Sequence, residues 1–212
     1  MNELANGKVT LYKRADAEII EKKSRFIGHA IPVRSEAEAQ EFVAEIKKKY
    51  SDATHNVYAY YFNDGAIARC SDDGEPQGSS GYPTLNALKT CGATDMCVVV
   101  TRYFGGTLLG TAGLARTYAA AARAAIDASG FAVYENFTVV MIEVGYSEYQ
   151  RLTVLLKNES IAEEDTEFGE FVTVTAAVGE GKLERLKTQV RDLSQGKGKF
   201  EEICVEERLR KL

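Results

Sequence analysis
Three short stretches of the sequence gather side chains with chemical reach. In Ala53-Thr54-His55-Asn56-Val57-Tyr58-Ala59-Tyr60 a histidine stands at the mouth of a run rich in Val and Tyr. An imidazole titrates near neutrality, so His55 is a candidate acid, base or phosphate donor, or else a strand-end histidine satisfied by backbone. In Ser71-Asp72-Asp73-Gly74-Glu75-Pro76-Gln77-Gly78-Ser79-Ser80-Gly81, the carboxylates of Asp72, Asp73 and Glu75 crowd one turn. Hard cations take oxygen ligands from such loops, but the spacing of a calcium loop is missing, and a turn rich in Gly and Pro is equally an ordinary solvated loop. Ser79 and Ser80 lack the GxSxG elbow of a hydrolase nucleophile.

The third stretch runs from Thr101-Arg102-Tyr103-Phe104 through Gly105, Gly106, Gly110 and Gly113 to Arg116. A glycine-rich turn leading into a helix lets unpaired backbone N–H groups and the positive helix end converge on an anion, with Arg102 and Arg116 adding forked donors. The same glycines would also serve a purely structural tight turn. The GK[ST] ending of a P-loop is absent and the GxGxxG dinucleotide spacing is not met, which removes two common nucleotide sites.

The surrounding pattern predicts elements that would hold these residues. Residues 8–33 alternate as two strands with a turn at residues 21–23. Ser35 and Glu38 form a capping box for a helix carrying Phe42, Val43 and Ile46, with Lys47, Lys48 and Lys49 at its end as the macrodipole favours. Strands follow at residues 56–62 and 66–70 around Asn63-Asp64-Gly65, then a short helix with Pro83 in its first turn. The continuous apolar run 96–101 reads as a buried strand, and a long alanine-rich helix stops at Gly130. Beyond it comes the order strand, helix opened by Ser147 and Gln150, two strands, helix, strand: βαββαβ. The expectation is an α+β chain of two domains, residues 1–130 and 131–212, the second ferredoxin-like.

Composition narrows the function classes. With 45% hydrophobic and 27% charged residues the chain is ordinary for a globular protein, no apolar run reaches membrane-helix length, and the start MNELANGKV has no apolar targeting core. A cytoplasmic protein without membrane contact is expected. Four cysteines without a CxxC pair and only two histidines give no ordinary zinc site, so reduced, mostly buried thiols and no cofactor are expected. Residues 1–130 hold 15 basic and 15 acidic side chains and residues 131–212 hold 11 and 16, so the net charge of −5 lies in the second half. Any anion site must be local, built from a few placed groups.

Taken together in order, Lys22-Lys23-Ser24-Arg25-Phe26, the His55 stretch, the Asp72 loop and the segment from Arg102-Tyr103-Phe104-Gly105-Gly106 to Arg116 closely resemble the motifs of the YigZ/IMPACT family. The resemblance spans the first domain, and the second resembles the extra domain of bacterial members. It implies a first domain with the fold of the second domain of a small-subunit ribosomal protein, shared with domain IV of elongation factor G, and a second domain like that factor's domain V. Such domains touch RNA in the translation machinery. The implied function is a non-catalytic RNA- or ribosome-binding protein linked to regulation of translation. Its contact residues would be Lys22, Lys23, Arg25, His55, Arg102, Tyr103, Gly105, Gly106, Gly110 and Arg116, with Asp72, Asp73 and Glu75 as a possible functional loop. Two alternatives stand beside it: an enzyme acting on a phosphorylated small molecule, with His55 as acid or base, and a protein-docking regulator of translational control.

Overall fold
The computed structural model describes residues 8–212; the leading segment, read above for targeting signals, lies outside the described residues. The chain divides into two compact units, one of residues up to 134 with 209–212, the other of residues 135–208.

In the first unit, β2 (Ala15–Glu21), β3 (Ser24–Pro32), β4 (His55–Phe62), β5 (Ile67–Ser71) and β6 (Met96–Tyr103) form an antiparallel sheet in the order β2-β3-β6-β4-β5. Strand β6 is apolar from Met96 to Val100 because it is central and covered on both faces. Alternate residues Val98 and Val100 join Phe26, Ala30, Val57 and Ala59 beneath α2 (Gly81–Lys89) and α3 (Gly110–Ser129). Cys97 and Val99 join Tyr60 and Phe62 beneath Phe42, Val43 and Ile46 of α1 (Glu36–Lys49).

Helix α1 starts as the sequence predicts: Ser35 Oγ accepts from the Glu38 amide, and the Glu38 carboxylate accepts from the Arg34 amide. The alanines of α3 have a packing reason. A side chain at Gly28 would lie 2.4 Å from the Ala121 carbonyl, so α3 rests directly on β3 through buried Ala121, Ala122 and Ala125.

A three-residue strand β1 (Val9–Leu11) precedes the expected pair, and pairs not with β2 but with residues 131–133 at the start of β7 (Phe131–Val144). The first unit therefore extends past Gly130 to Tyr134, and it regains the chain end, where the Leu212 amide donates to the Phe131 carbonyl. The expected boundary follows the end of α3; the observed one follows strand pairing.

The second unit has the predicted βαββαβ order: β7, α4 (Tyr146–Asn158), β8 (Glu163–Phe168), β9 (Val172–Gly179), α5 (Leu183–Leu193) and β10 (Lys199–Lys211), with strand order β10-β7-β9-β8. Inserting β9 between β7 and β8 is the split βαβ connectivity. Strand β9 alternates buried and half-buried residues, and Val172, Val174, Ala176 and Val178 pack under Leu152, Leu156, Leu186 and Val190 of the two helices. The Ser147–Gln150 box does not form: α4 begins at Tyr146 with Gly145 as its N-cap, which places Ser147 inside the first turn.

No helix among the described residues is long and apolar enough to cross a membrane. All four cysteines are free. Cys97 is buried, which pushes its thiol well above the usual range, whereas Cys70 and Cys204 are exposed on edge strands β5 and β10 instead of lying in a core as expected.

Candidate functional site
Strand register decides where the sequence-predicted residues go. His55 and Phe26 both lie opposite Arg102 on neighbouring strands, so the three share the sheet face covered by α2 and α3. Arg102 consequently turns inward. Its guanidinium lies over the rings of Phe26 and Phe104, at 5.3 and 5.5 Å, and Nη1 donates to Glu75 Oε1 at 2.5 Å. Both side chains are almost fully buried, 6% and 3% exposed. The Tyr118 hydroxyl of α3 donates to the same oxygen at 2.7 Å, and burial together with the Glu75 charge drives that phenol far above its usual pKa, so it stays protonated. The expectation of Arg102 as a surface cation is thus corrected: its charge is neutralised inside the first unit, and its Nε has no hydrogen-bond partner.

The acidic loop is a tie between elements. Asp72 accepts from the amides of Gly78, Ser80 and Gly81 and from the Ser80 hydroxyl, at 2.7 to 3.1 Å, closing the loop onto the start of α2. Burial pushes the Asp72 carboxyl up, but these donors outweigh it and hold the group below its ordinary value. Asp73 accepts from Lys47 Nζ at 2.5 Å and from the Asn56 amide at 2.7 Å, and there too burial is outweighed and the carboxyl is held low. The Asp73 carbonyl lies 2.7 Å from His55 Nδ1, which therefore carries the proton and donates; Nε2 faces Glu75 Oε1 at 3.9 Å. Asp72, Asp73 and Glu75 thus turn to three different partners. Among the described residues no group of three or more His, Cys, Asp or Glu is placed to hold a metal ion.

A different part of the predicted set converges at the β2–β3 turn. Lys22 and Lys23 have φ of +46° and +68°, the left-handed region that a two-residue hairpin of this kind demands and that normally selects Asn-Gly. Each non-glycine residue there costs about 1–2 kcal/mol, so neighbouring structure must hold the turn. Gly105 does this: a side chain on it would lie 2.0 Å from the Lys23 carbonyl carbon, and its amide donates to Ser24 Oγ at 3.1 Å. The β6–α3 loop is thereby pressed onto the hairpin tip.

Beside this contact lies a cavity of about 370 Å³ lined by Ile19, Ile20, Glu21, Lys22, Leu109, Gly113, Arg116, Thr117 and Ala120. Among the described residues neither Lys22 nor Arg116 has an ion-pair partner. Helix α3 starts after Leu109 with no side-chain cap and no acidic residue in its first turn, and Gly110, Thr111 and Ala112 at its start are exposed.

Of the predicted contact residues, Lys22, Lys23, Gly105, Gly106, Gly110 and Arg116 therefore belong to the tip, the loop and the helix start. Arg25 is paired with Glu18 at 2.8 Å and lies over the Tyr103 ring, whose hydroxyl donates to Asp52. His55 and Arg102 belong to the internal tie. Sequence reading missed Tyr118, Lys47 and the cavity wall of Ile19, Ile20 and Leu109. Tyr118 carries a legible signal, since a tyrosine among small residues on a helix following a charged loop is a candidate buried donor.

The chain matches the family described as Impact N-terminal domain over residues 22–126 and the one described as domain of unknown function (DUF1949) over residues 142–197. It is 33% identical over 194 residues to IMPACT family member YvyE of Bacillus subtilis (strain 168), covering 91% of this chain and 89% of that protein. IMPACT family member YigZ of Escherichia coli (strain K12) is 29% identical over 178 residues, covering 82% and 87%. A crystal structure of a hypothetical protein superposes with a TM-score of 0.59 at 26% identity, covering 95% of this chain and 99% of that one. The hairpin tip, the internal tie and α3 almost to its end all fall within the first matched span, and with this likeness along nearly the whole length of bacterial members, the chain belongs to the IMPACT family.

Proposed function
We propose that the protein is a non-catalytic RNA- or ribosome-binding factor linked to regulation of translation, acting in the cytoplasm. The observation that carries this reading is the pairing of Lys22 and Arg116, both without an ion-pair partner among the described residues, on one cavity beside the uncapped start of α3. Cations, free backbone N–H groups and a helix N-terminus are the ordinary equipment for phosphate. Phe104, about half exposed in the adjoining loop, is available for base or sugar stacking. The likeness of the first unit to domain IV of elongation factor G, and of the second to domain V, belongs to the same reading. The overall charge of −5 makes binding depend on this placement and not on a global field.

The test is co-sedimentation with purified ribosomes and subunits at low salt, comparing the wild type with Lys22→Ala/Arg116→Ala. Saturable binding that the double variant loses supports the proposal; wild-type protein left in the supernatant at low salt refutes it.

A second reading has its own observation. Ile20, Phe104 and Leu108 are 68, 47 and 83% exposed, and Ile20 and the β6–α3 loop both adjoin the hairpin tip, so this surface also suits a protein partner in translational control. Binding that survives nuclease treatment of the ribosomal fraction and high salt would favour it.

A further inference from the structure
The cavity at the hairpin tip presents three chemistries at once. Lys22 and Arg116 are cations without an ion-pair partner among the described residues; Glu21 is a carboxylate on the same lining; Ile19, Ile20 and Leu109 supply an apolar wall. A site for a bare phosphate or the convex backbone of a duplex has no use for the wall and is opposed by Glu21. A site for an apolar ligand has no use for the cations. Its volume, about 370 Å³, lies in the range of small-molecule sites.

We infer that this cavity accepts one unstacked ribonucleotide of a single-stranded RNA segment. This rests on the RNA-binding reading above and narrows it to a substrate class. The phosphate lies against Lys22 and Arg116, which can fork onto its oxygens. The base, free of its stack, covers Ile19, Ile20 and Leu109; the apolar contact rewards extrusion and is denied to a paired base. Glu21, an acceptor when ionised, takes a donor from the ribose 2′-hydroxyl, which separates RNA from DNA at this position. The rigid frame comes from the neighbouring loop: Gly105 holds the Lys22–Lys23 turn in its left-handed conformation, so the cation at residue 22 is placed before the ligand arrives.

Ala120 gives a clean probe, because it lines the cavity, is exposed on α3, and its replacement keeps both cations in the chain. Ala120→Phe should fill the cavity while leaving the fold intact, which a thermal melt checks. Binding is read by anisotropy of labelled single-stranded RNA of about ten nucleotides, against DNA of the same sequence and an RNA duplex of the same length. The wild type should prefer the RNA strand to the duplex by about tenfold, Ala120→Phe should lose that preference, and Glu21→Ala should abolish discrimination of RNA from DNA. Equal affinity for strand and duplex, or an Ala120→Phe variant that binds like the wild type, overturns the nucleotide cavity and leaves the broader RNA-binding proposal standing. Failure of the wild type to bind any of the three, or ribosomes, at low salt overturns both.

Discussion
Arg102 and Glu75 meet at 2.5 Å with both side chains nearly sealed from solvent, and the Tyr118 hydroxyl closes on the same carboxylate oxygen. This contact joins β6, the acidic loop and α3, so a cation that reads from sequence as a phosphate ligand instead fixes the surfaces on either side of it. Removing one partner leaves a buried uncompensated charge. Glu75→Ala should therefore destabilise the protein by about 3–5 kcal/mol in urea denaturation, and Glu75→Leu/Arg102→Met should recover most of the loss. An effect of Glu75→Ala no larger than that of a surface substitution would contradict the assignment.

The loop carboxylates should make stability fall in acid. Asp72 and Asp73 both have folded-state pKa values below their ordinary value near 3.8, so their contribution is fully present above that pH and lost as pH falls through the lower folded values. Denaturation midpoints measured downward from pH 5 should show this loss, and Asp73→Asn should flatten it.

A second window comes from a histidine that sequence reading left aside. His29 is fully buried, with Nδ1 2.8 Å from Asp16 Oδ1 and Nε2 3.3 Å from the Thr101 hydroxyl, which itself donates to Asn56. Burial pulls its pKa below 6.5 and outweighs the help of Asp16. The unfolded chain therefore binds the proton more readily, and stability should decline as pH falls from about 6.5 towards the folded value. The histidine resonances followed by NMR should show one titrating below the ordinary range, and His29→Gln should remove this part of the pH dependence.

Two glycines of the β6–α3 loop should differ in effect. At Gly105 a methyl group would meet the backbone of Lys23, which cannot yield without moving the hairpin, whereas at Gly106 the space is open and only the φ of +81° resists. Gly106→Ala should cost about 1 kcal/mol and Gly105→Ala clearly more, with a displaced tip visible as chemical-shift changes at Lys22 and Lys23.

The turn itself should display a trade of stability against binding. Lys22→Asn/Lys23→Gly supplies the residues that the left-handed turn favours and should stabilise the protein by about 1 kcal/mol or more. It also removes a cation from the cavity, so RNA affinity should fall while the melting temperature rises.

Much of the frame was legible because local rules and packing agree. Strand β6 reads as buried from its unbroken apolar run, α1 from its cap, its periodicity and its charge gradient, and the second unit from its alternation of strand and helix patterns. The site was less legible for reasons that lie in pairing. Period-two alternation does not say which face of β6 looks inward, and the partner of Arg102 lies 27 residues away in an irregular loop, so only register reveals that the charge is internal. The left-handed Lys22–Lys23 turn carries no glycine or asparagine to announce it; its warrant is Gly105, more than eighty residues on. Strand β1 is three residues long and is defined by its partner, which is why the unit boundary was placed at the helix end instead of beyond the first residues of β7.

The most direct measurement of the central claim is the salt dependence of RNA or ribosome binding for the wild type and for Lys22→Ala/Arg116→Ala. If these two side chains share one phosphate of the bound strand, the double variant should bind more weakly at low salt, and the slope of log K against log salt should become shallower by about 0.7 for a single-stranded ligand. Unchanged affinity and an unchanged slope would show that the cavity between the hairpin tip and α3 is not where this protein meets RNA.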